Sequence, residues 1–336
     1  MRSPQWRRLT YCAITNPMSG FHMPTPTQDE VRRGIAYMIV SVFIFAIVNA
    51  LVKWLVADYP VTQVVFFRCV FALVPCIVLV PTHGGFACFR TKRLRDHVLR
   101  AGSQFASMIC IFTAFRMMPL ADAVAIQFAS PLFLTVLSIF LLGERVGIHR
   151  WSAVLVGFAG VLIMVQPGPG MFESGALFAL VNAVMSASVT IAMRRMSVTE
   201  STTTLVVYQG IVTALLSICL LPFGWVTPTW ADLALMIGVG VCSGAGQYCW
   251  TQAFRFAPAA VAAPFSYTSM IWALTLGFLL WGDVPTPMLL VGAAVVAGSG
   301  LYILYRETVR RRSAAAPTTS PVQTGSAQGG GILKPS

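Results

Sequence analysis

The chain has 336 residues, 57% of them hydrophobic and 10% charged, with a mean hydropathy of +0.75 and a formal net charge of +12. A soluble domain carries about 25% charged residues, so the deficit excludes a chain whose surface mostly faces water. The basic residues lie in short clusters between apolar runs and in both tails, without interleaved aromatics on a polar background, which argues against nucleic acid as a partner.

Residues 1–33 are polar, with prolines and arginines, and read as a flexible cytoplasmic extension. No apolar stretch follows Arg7 and Arg8 as a secretory signal requires, so the first span is expected to act as its own insertion signal. Apolar spans then follow at 34–56, 61–81, 98–118, 121–142, 148–166, 174–193, 203–222, 231–254, 258–281 and 286–305. Runs of roughly 18 or more residues with few charges are long enough to cross a ~30 Å hydrocarbon core. Residues 306–336 begin with Arg310, Arg311 and Arg312 in their first turns and become rich in Ala, Ser, Pro, Gly and Gln. Such a composition buries no core and reads as a disordered tail. The expected fold is therefore an all-α polytopic membrane protein with ten transmembrane helices.

Lys and Arg counts in short loops set the expected orientation. With the N-terminus cytoplasmic, all of the 23 basic residues except Lys53, Arg68 and Arg116 fall on the cytoplasmic side. Both termini are expected there, in a plasma membrane of bacterial type. Of the eight cysteines, Cys69, Cys76, Cys110, Cys219, Cys242 and Cys249 sit within apolar runs, and no C-x-x-C pair exists. They read as small packing residues, with no metal site and no cofactor expected.

The spans repeat. "AFRMMPLADAVA" at 114–125 matches "AFRFAPAAVAAP" at 253–264, pairing Arg116 with Arg255 and Pro119 with Pro258 at a shift of 255 − 116 = 139. The same shift lays Gly143 on Gly282 and Glu144 on Asp283. The front of each half agrees at 141, pairing Gly34 with Gly175, Lys53 with Arg194 and Pro81 with Pro222. Two repeats are thus delimited, at 34–166 and 174–305. Each has five crossings, an odd number, so the second enters the membrane from the opposite side. Inverted repeats are a construction of secondary transporters, with the substrate near the midplane between the halves.

These residues carry a resemblance. The ten-span pattern, the A-x-x-x-x-P-L-A-D-A stretch from Ala114 to Ala123, "SPLF" at Ser130–Phe133 and "LLGER" closing the fourth span resemble the drug/metabolite transporter superfamily, in particular EamA-type carriers with two EamA repeats. "FFR" at Phe66–Arg68 resembles the branch holding S-adenosylmethionine and riboflavin uptake carriers and organic-anion carriers. The resemblance implies the ten-helix fold and metabolite transport. The second half departs from the pattern, with Gln209 in place of Arg68, Met270 of Pro131 and Asp283 of Glu144.

Polar residues within spans are expensive and tend to face a cavity or the bundle interior. In the first span Ser41, Asn49 and Lys53 fall on one face. In the sixth, Asn182, Ser186, Thr190 and Arg194 do the same, and the two stripes coincide at the 141 shift. Gln127 and Ser130 of the fourth span land on Ser266 and Ser269 of the ninth at the 139 shift. A shared central cavity accounts for these matched faces, and hydrogen bonding between helices is the alternative. Arg68 lies roughly 12 Å past Pro60 at 1.5 Å per residue, and its guanidinium suits a carboxylate or phosphate. Pairing with backbone carbonyls or snorkelling are its other readings. Lys53, beside Trp54, reads as an interface anchor or a substrate contact. Gln247, Tyr248 and Gln252 of the eighth span and Tyr267 of the ninth suit a ligand of mixed polarity, or equally a core. All four histidines fall in loops or at helix ends, which leaves a proton relay without a buried histidine.

The function expected is a secondary carrier of a small organic metabolite bearing an anionic group, working by alternating access. No Walker A motif is present to couple ATP. An exporter of the same fold is the alternative, followed by a membrane-embedded enzyme or a channel. An enzyme would need a clustered His/Asp/Glu or Ser/Lys constellation, and the 11 acidic residues lie almost entirely in loops. The expected partners are a small-molecule substrate and the lipid bilayer, with a homodimer left open.

Overall fold

The computed structural model describes residues 28–79, 91, 93–142, 148–165, 174–196, 200, 202–257 and 259–315. Twelve α-helices run through them: α1 (Gln28–Asp58), α2 (Val61–Leu79), α3 (Leu94–Met117), α4 (Leu120–Gln127), α5 (Ser130–Leu142), α6 (Ile148–Val165), α7 (Ser174–Met196), α8 (Thr202–Leu220), α9 (Trp230–Phe256), α10 (Ala259–Ser266), α11 (Thr268–Trp281) and α12 (Pro287–Ala315). No strand occurs among the described residues. The helices form ten crossings, because α4 with α5 and α10 with α11 each make one broken span. Five spans are long and apolar enough on their own to cross a membrane, among them Gln28–Asp58 and Trp230–Phe254, and shorter apolar helices supply others.

Helix ends follow local chemistry. Asp29 and Glu30 occupy the first turn of α1, where the helix dipole favours negative charge. That turn lies ahead of the apolar run, so α1 begins before the predicted start, and α12 likewise continues to Ala315. Met118 ends α3 in an extended conformation, φ −147° and ψ 165°, as a residue preceding a proline must. Its repeat partner Ala257 ends α9 the same way, φ −124° and ψ 142°. Thr229 caps α9 by accepting from the Asp232 amide.

The two broken spans carry the same break. Phe128 has φ −66° and ψ −6°, and Tyr267, 139 positions on, has φ −67° and ψ −15°. Each amide donates three residues back, Phe128 to Ala125 at 3.1 Å and Tyr267 to Pro264 at 3.2 Å. The prolines responsible occupy different places. Pro131 follows the first break and lacks a donor. Its counterpart Met270 does have one and gives it to Tyr267 at 3.1 Å, while Pro264 lies before the second break inside α10.

Contacts between helices repeat at the same shifts. A side chain on Gly34 of α1 would meet Ala257, and one on Gly175 of α7 would meet Met118. Ser41 of α1 donates to the Gly246 carbonyl of α9 at 2.9 Å. Asn182 of α7 donates to the Ser107 carbonyl of α3 at 2.9 Å. Gly34 and Ser41 map onto Gly175 and Asn182 at 141, and Met118 and Ser107 onto Ala257 and Gly246 at 139. The α1/α9 and α7/α3 pairs are therefore one interface made twice. The Phe128 and Tyr267 rings stack on each other at 4.8 Å and 19°, so the pseudo-two-fold axis passes between equivalent residues.

Phe112, Phe115, Met38, Leu120 and Leu132 are fully buried along the bundle interior. Phe140, Leu162 and Leu279 are exposed at 78%, 60% and 69%, an apolar exterior that suits lipid and would be costly in water. The fifth and tenth spans meet through glycines. A Cβ on Gly160 of α6 would lie 2.9 Å from the Gly292 carbonyl, and one on Gly292 of α12 would lie 2.6 Å from the Gly160 carbonyl. Close backbone approach of this kind needs small residues. Gly292→Ala is expected to destabilise the protein by about 1–3 kcal/mol through overpacking, read as a lowered melting temperature in detergent. An unchanged melting temperature would mean the seam relaxes freely.

Candidate substrate-binding site

Arg68 reaches from α2 into the bundle. Its Nε donates to Ser243 Oγ of α9 at 3.0 Å, and its guanidinium lies 5.2 Å from the centre of the Phe112 ring of α3. Ser243 passes its own proton back to the Val239 carbonyl at 2.6 Å. The cation is thus held among three helices by a hydroxyl and an aromatic face. Among the described residues it has no carboxylate within ion-pair distance. A guanidinium so placed keeps donors for an anionic group. Its repeat partner Gln209 in α8 also faces inward, and its buried Oε1 has no hydrogen-bond partner among the described residues.

The two helix breaks lie side by side through the Phe128–Tyr267 stack. This brings Gln127, Ser130, Ser266 and Ser269, which flank the breaks, to one level of the bundle. All four are half-buried. The Tyr267 hydroxyl is buried without a partner among the described residues, beside Gly300, where a side chain would collide with it. Asn49 of α1 is half-buried, with no hydrogen bond to a described residue.

Other predicted site residues are engaged between helices. Asn182 Nδ2 also donates to Ser107 Oγ at 2.8 Å, and Ser186 Oγ lies 3.0 Å from the same atom. The Asn182 amide nitrogen and Ser186 are engaged with α3 in this conformation, while the buried Asn182 Oδ1 has no hydrogen-bond partner among the described residues. Tyr248 is half-buried and Gln247 is exposed. Gln252 is the buried member of that group, 7% exposed, and its Oε1 has no partner among the described residues.

Lys53 ties α1 to the segment after α11. Its Nζ lies 3.1 Å from Asp283 Oδ2 and 4.8 Å from the centre of the Trp281 ring. Only 12% of its side chain is exposed, so it does not extend to an interface as a free anchor. Tyr59 donates to Asp232 at 2.8 Å at the same end of the bundle. Donation to that carboxylate raises the phenol above its ordinary pKa. Gln63 bonds the Val226 backbone in both directions, at 2.8 and 3.0 Å, which closes α2 against the segment leading into α9.

Sequence reasoning missed several partners. Asp283 was legible only as the counterpart of Glu144, and nothing in the sequence marked Phe112 or Ser243 as partners of Arg68. His97 stands at a helix end as predicted, in the first turn of α3, yet it is wholly buried, with its ring 4.6 Å from that of Tyr208 in α8. Position at a helix end did not mean exposure, because α8 covers that turn.

Comparison with known proteins agrees with this architecture. The model of the EamA-like transporter family matches residues 32–166 and again 173–305. The S-adenosylmethionine uptake transporter of Rickettsia prowazekii is 27% identical over 274 residues, 82% of this chain and 93% of that protein. The pseudopaline exporter CntI of Pseudomonas aeruginosa is 29% identical over 80% of this chain and 94% of its own length. The riboflavin transporter of Vibrio cholerae is 28% identical over 83% and 95%. A solved crystal structure with a TM-score of 0.59 and 20% identity covers 86% of this chain and 99% of its own, and shows the shared fold. With the family model matching both halves of the chain, the protein belongs to the EamA-like transporter family.

Proposed function

We propose that the protein is a secondary carrier for a small organic metabolite bearing a carboxylate or phosphate, working by alternating access between its two inverted repeats, with both termini in the cytoplasm. The observation that carries the anionic assignment is Arg68, a cation inside the bundle held by Ser243 and Phe112 with no carboxylate partner among the described residues. Gln209 Oε1, Gln252 Oε1 and the Tyr267 hydroxyl, buried and without partners among the described residues, add polar groups for the remainder of the ligand. Buried polar groups left unpaired are expensive, so they concentrate where a ligand satisfies them. The Lys53–Asp283 pair closes one end of the path in this conformation.

Relatives named for uptake and for export both align along most of the chain, so direction is a matter for measurement. The test is flux into proteoliposomes of purified protein. Labelled S-adenosylmethionine, with its carboxylate, is compared with riboflavin, which carries none, after a thermal-shift screen of acidic metabolites and their neutral analogues. Saturable, competable flux of an acidic compound, with its neutral analogue excluded, is the expected result. Saturable flux of neutral compounds alone would remove the anionic assignment, and flux linear in concentration would remove the carrier mechanism.

A further inference from the structure

At the end of the bundle opposite Lys53, a cavity of about 240 Å³ opens between α3, α5 and α7. Its polar lining comprises Arg93, Asp96, Arg100, Ser103, Ser188 and Arg195. Asp96 pairs with Arg93 at 2.8 Å. Three arginines against one aspartate leave the described lining with a charge of 3 − 1 = +2.

Arg100 distinguishes this cavity from a solvated basic rim. It is 6% exposed, one terminal nitrogen donates to the Leu205 carbonyl of α8, and its buried Nε has no hydrogen-bond partner among the described residues. One edge of the guanidinium is thereby fixed, while no described carboxylate offsets its charge. A buried cation without a counter-charge is costly, and the planar fork matches an oxyanion. Arg195 of α7 is exposed at the rim, where it can attract an anion from solution. The volume suits a headgroup-sized moiety more than a whole drug-sized ligand. Arg100 and Phe112, whose ring carries Arg68, are twelve residues apart on α3, a rise of about 18 Å.

We propose that this cavity is an oxyanion-binding site at the cytoplasmic mouth, where the carboxylate or phosphate of the metabolite is held before or after its passage to Arg68. The proposal rests on the transport reading for the identity of the ligand, but binding of an oxyanion here is measured independently of flux. The shared chemistry also fits an anionic lipid headgroup, so the experiment separates the two sources.

Full-length protein is placed in nanodiscs of phosphatidylcholine alone. Its melting temperature is followed against inorganic phosphate at constant ionic strength, with chloride as the balancing anion. A saturable rise is expected. Arg195→Gln and Arg100→Gln should each raise the half-saturating phosphate concentration at least fivefold, whereas Arg33→Gln, an exposed cytoplasmic-end charge in α1, should not. Should Arg100→Gln fail to fold through loss of its bond to Leu205, Arg195→Gln carries the test alone. No saturable rise, or an unaltered half-saturation in Arg195→Gln, overturns the proposal. A second arm omits phosphate and adds phosphatidylglycerol. If only the lipid stabilises, in an Arg195-dependent way, the site belongs to a headgroup and the metabolite assignment is overturned. The central-site reading is tested separately, by flux in Arg68→Gln: if flux is intact there while phosphate stabilisation still depends on Arg195, that reading fails and the cytoplasmic-mouth site stands.

Discussion

Replacing Arg68 with Gln, the residue its own repeat partner carries, is expected to leave insertion and folding intact and to remove most of the substrate affinity. The repeated fold does not require a cation at this position, because Gln209 occupies the equivalent place in α8. Breaking a desolvated charge pair costs about 2 kcal/mol or more, which is roughly 30-fold in affinity. Arg68→Lys keeps the charge but loses the planar fork and the Nε donor to Ser243, so it should weaken binding by a smaller factor. The measurements are ligand-dependent thermal stabilisation and flux for each variant in matched liposomes, using the acidic metabolite that the screen identifies. Wild-type affinity in the Gln variant would leave Arg68 a structural cation held by Ser243 and Phe112.

The second large effect is expected at Lys53 and Asp283, which join α1 to the segment after α11 across 230 residues of sequence. The lysine is mostly withdrawn from solvent and its charge is flanked by Trp281. Lys53→Met and Asp283→Asn each remove one partner and leave the other poorly solvated. A double-mutant cycle on thermal stability should give a coupling of about 1–2 kcal/mol. Exchanging the charges, with Asp at 53 and Lys at 283, should restore much of the loss. Additive single effects would reduce the pair to an incidental surface contact.

The repeat is the part of this architecture that the sequence displayed most openly. Shifts of 139 and 141 were visible from prolines, glycines and closing acids, and the contacts Ser41–Gly246 and Asn182–Ser107 recur at those shifts. Ten spans could be read because each needs its own apolar run. The helix breaks were harder. Pro131 has Met270 as its counterpart, so although Pro264 could be read as a helix breaker, it is the backbone that shows the second break lies at the position equivalent to the first. Partners were harder still, since a pattern of charges carries no record of which distant group each one meets. Lys53 looked like an anchor because Trp54 is its neighbour, yet Asp283 and Trp281 hold it. Likewise the stripe on α7 marked an inward face but not its use. Ser186 and the Asn182 amide nitrogen are tied to Ser107, whereas the buried polar atoms without partners among the described residues include those of Gln209, Gln252 and Tyr267 and the Oδ1 of Asn182 itself. Burial is a tertiary property, which is why Gln247 and Gln252, five residues apart on α9, end in opposite environments.

Alternating access itself makes a reciprocal demand on the two ends of the bundle. Spin labels at Asp58 and Val284 report on the end where Lys53 and Asp283 pair, and labels at Leu141 and Met193 report on the other. All four positions are exposed, and the labels are introduced into a background lacking the eight native cysteines. Pulsed electron–electron distance distributions are then compared between the otherwise unaltered protein and Lys53→Met in lipid nanodiscs. The account predicts that loss of the ion pair lengthens the Asp58–Val284 distance and shortens the Leu141–Met193 distance in the same population. Distances that lengthen together, or an outer change with no inner response, would contradict alternating access between the repeats.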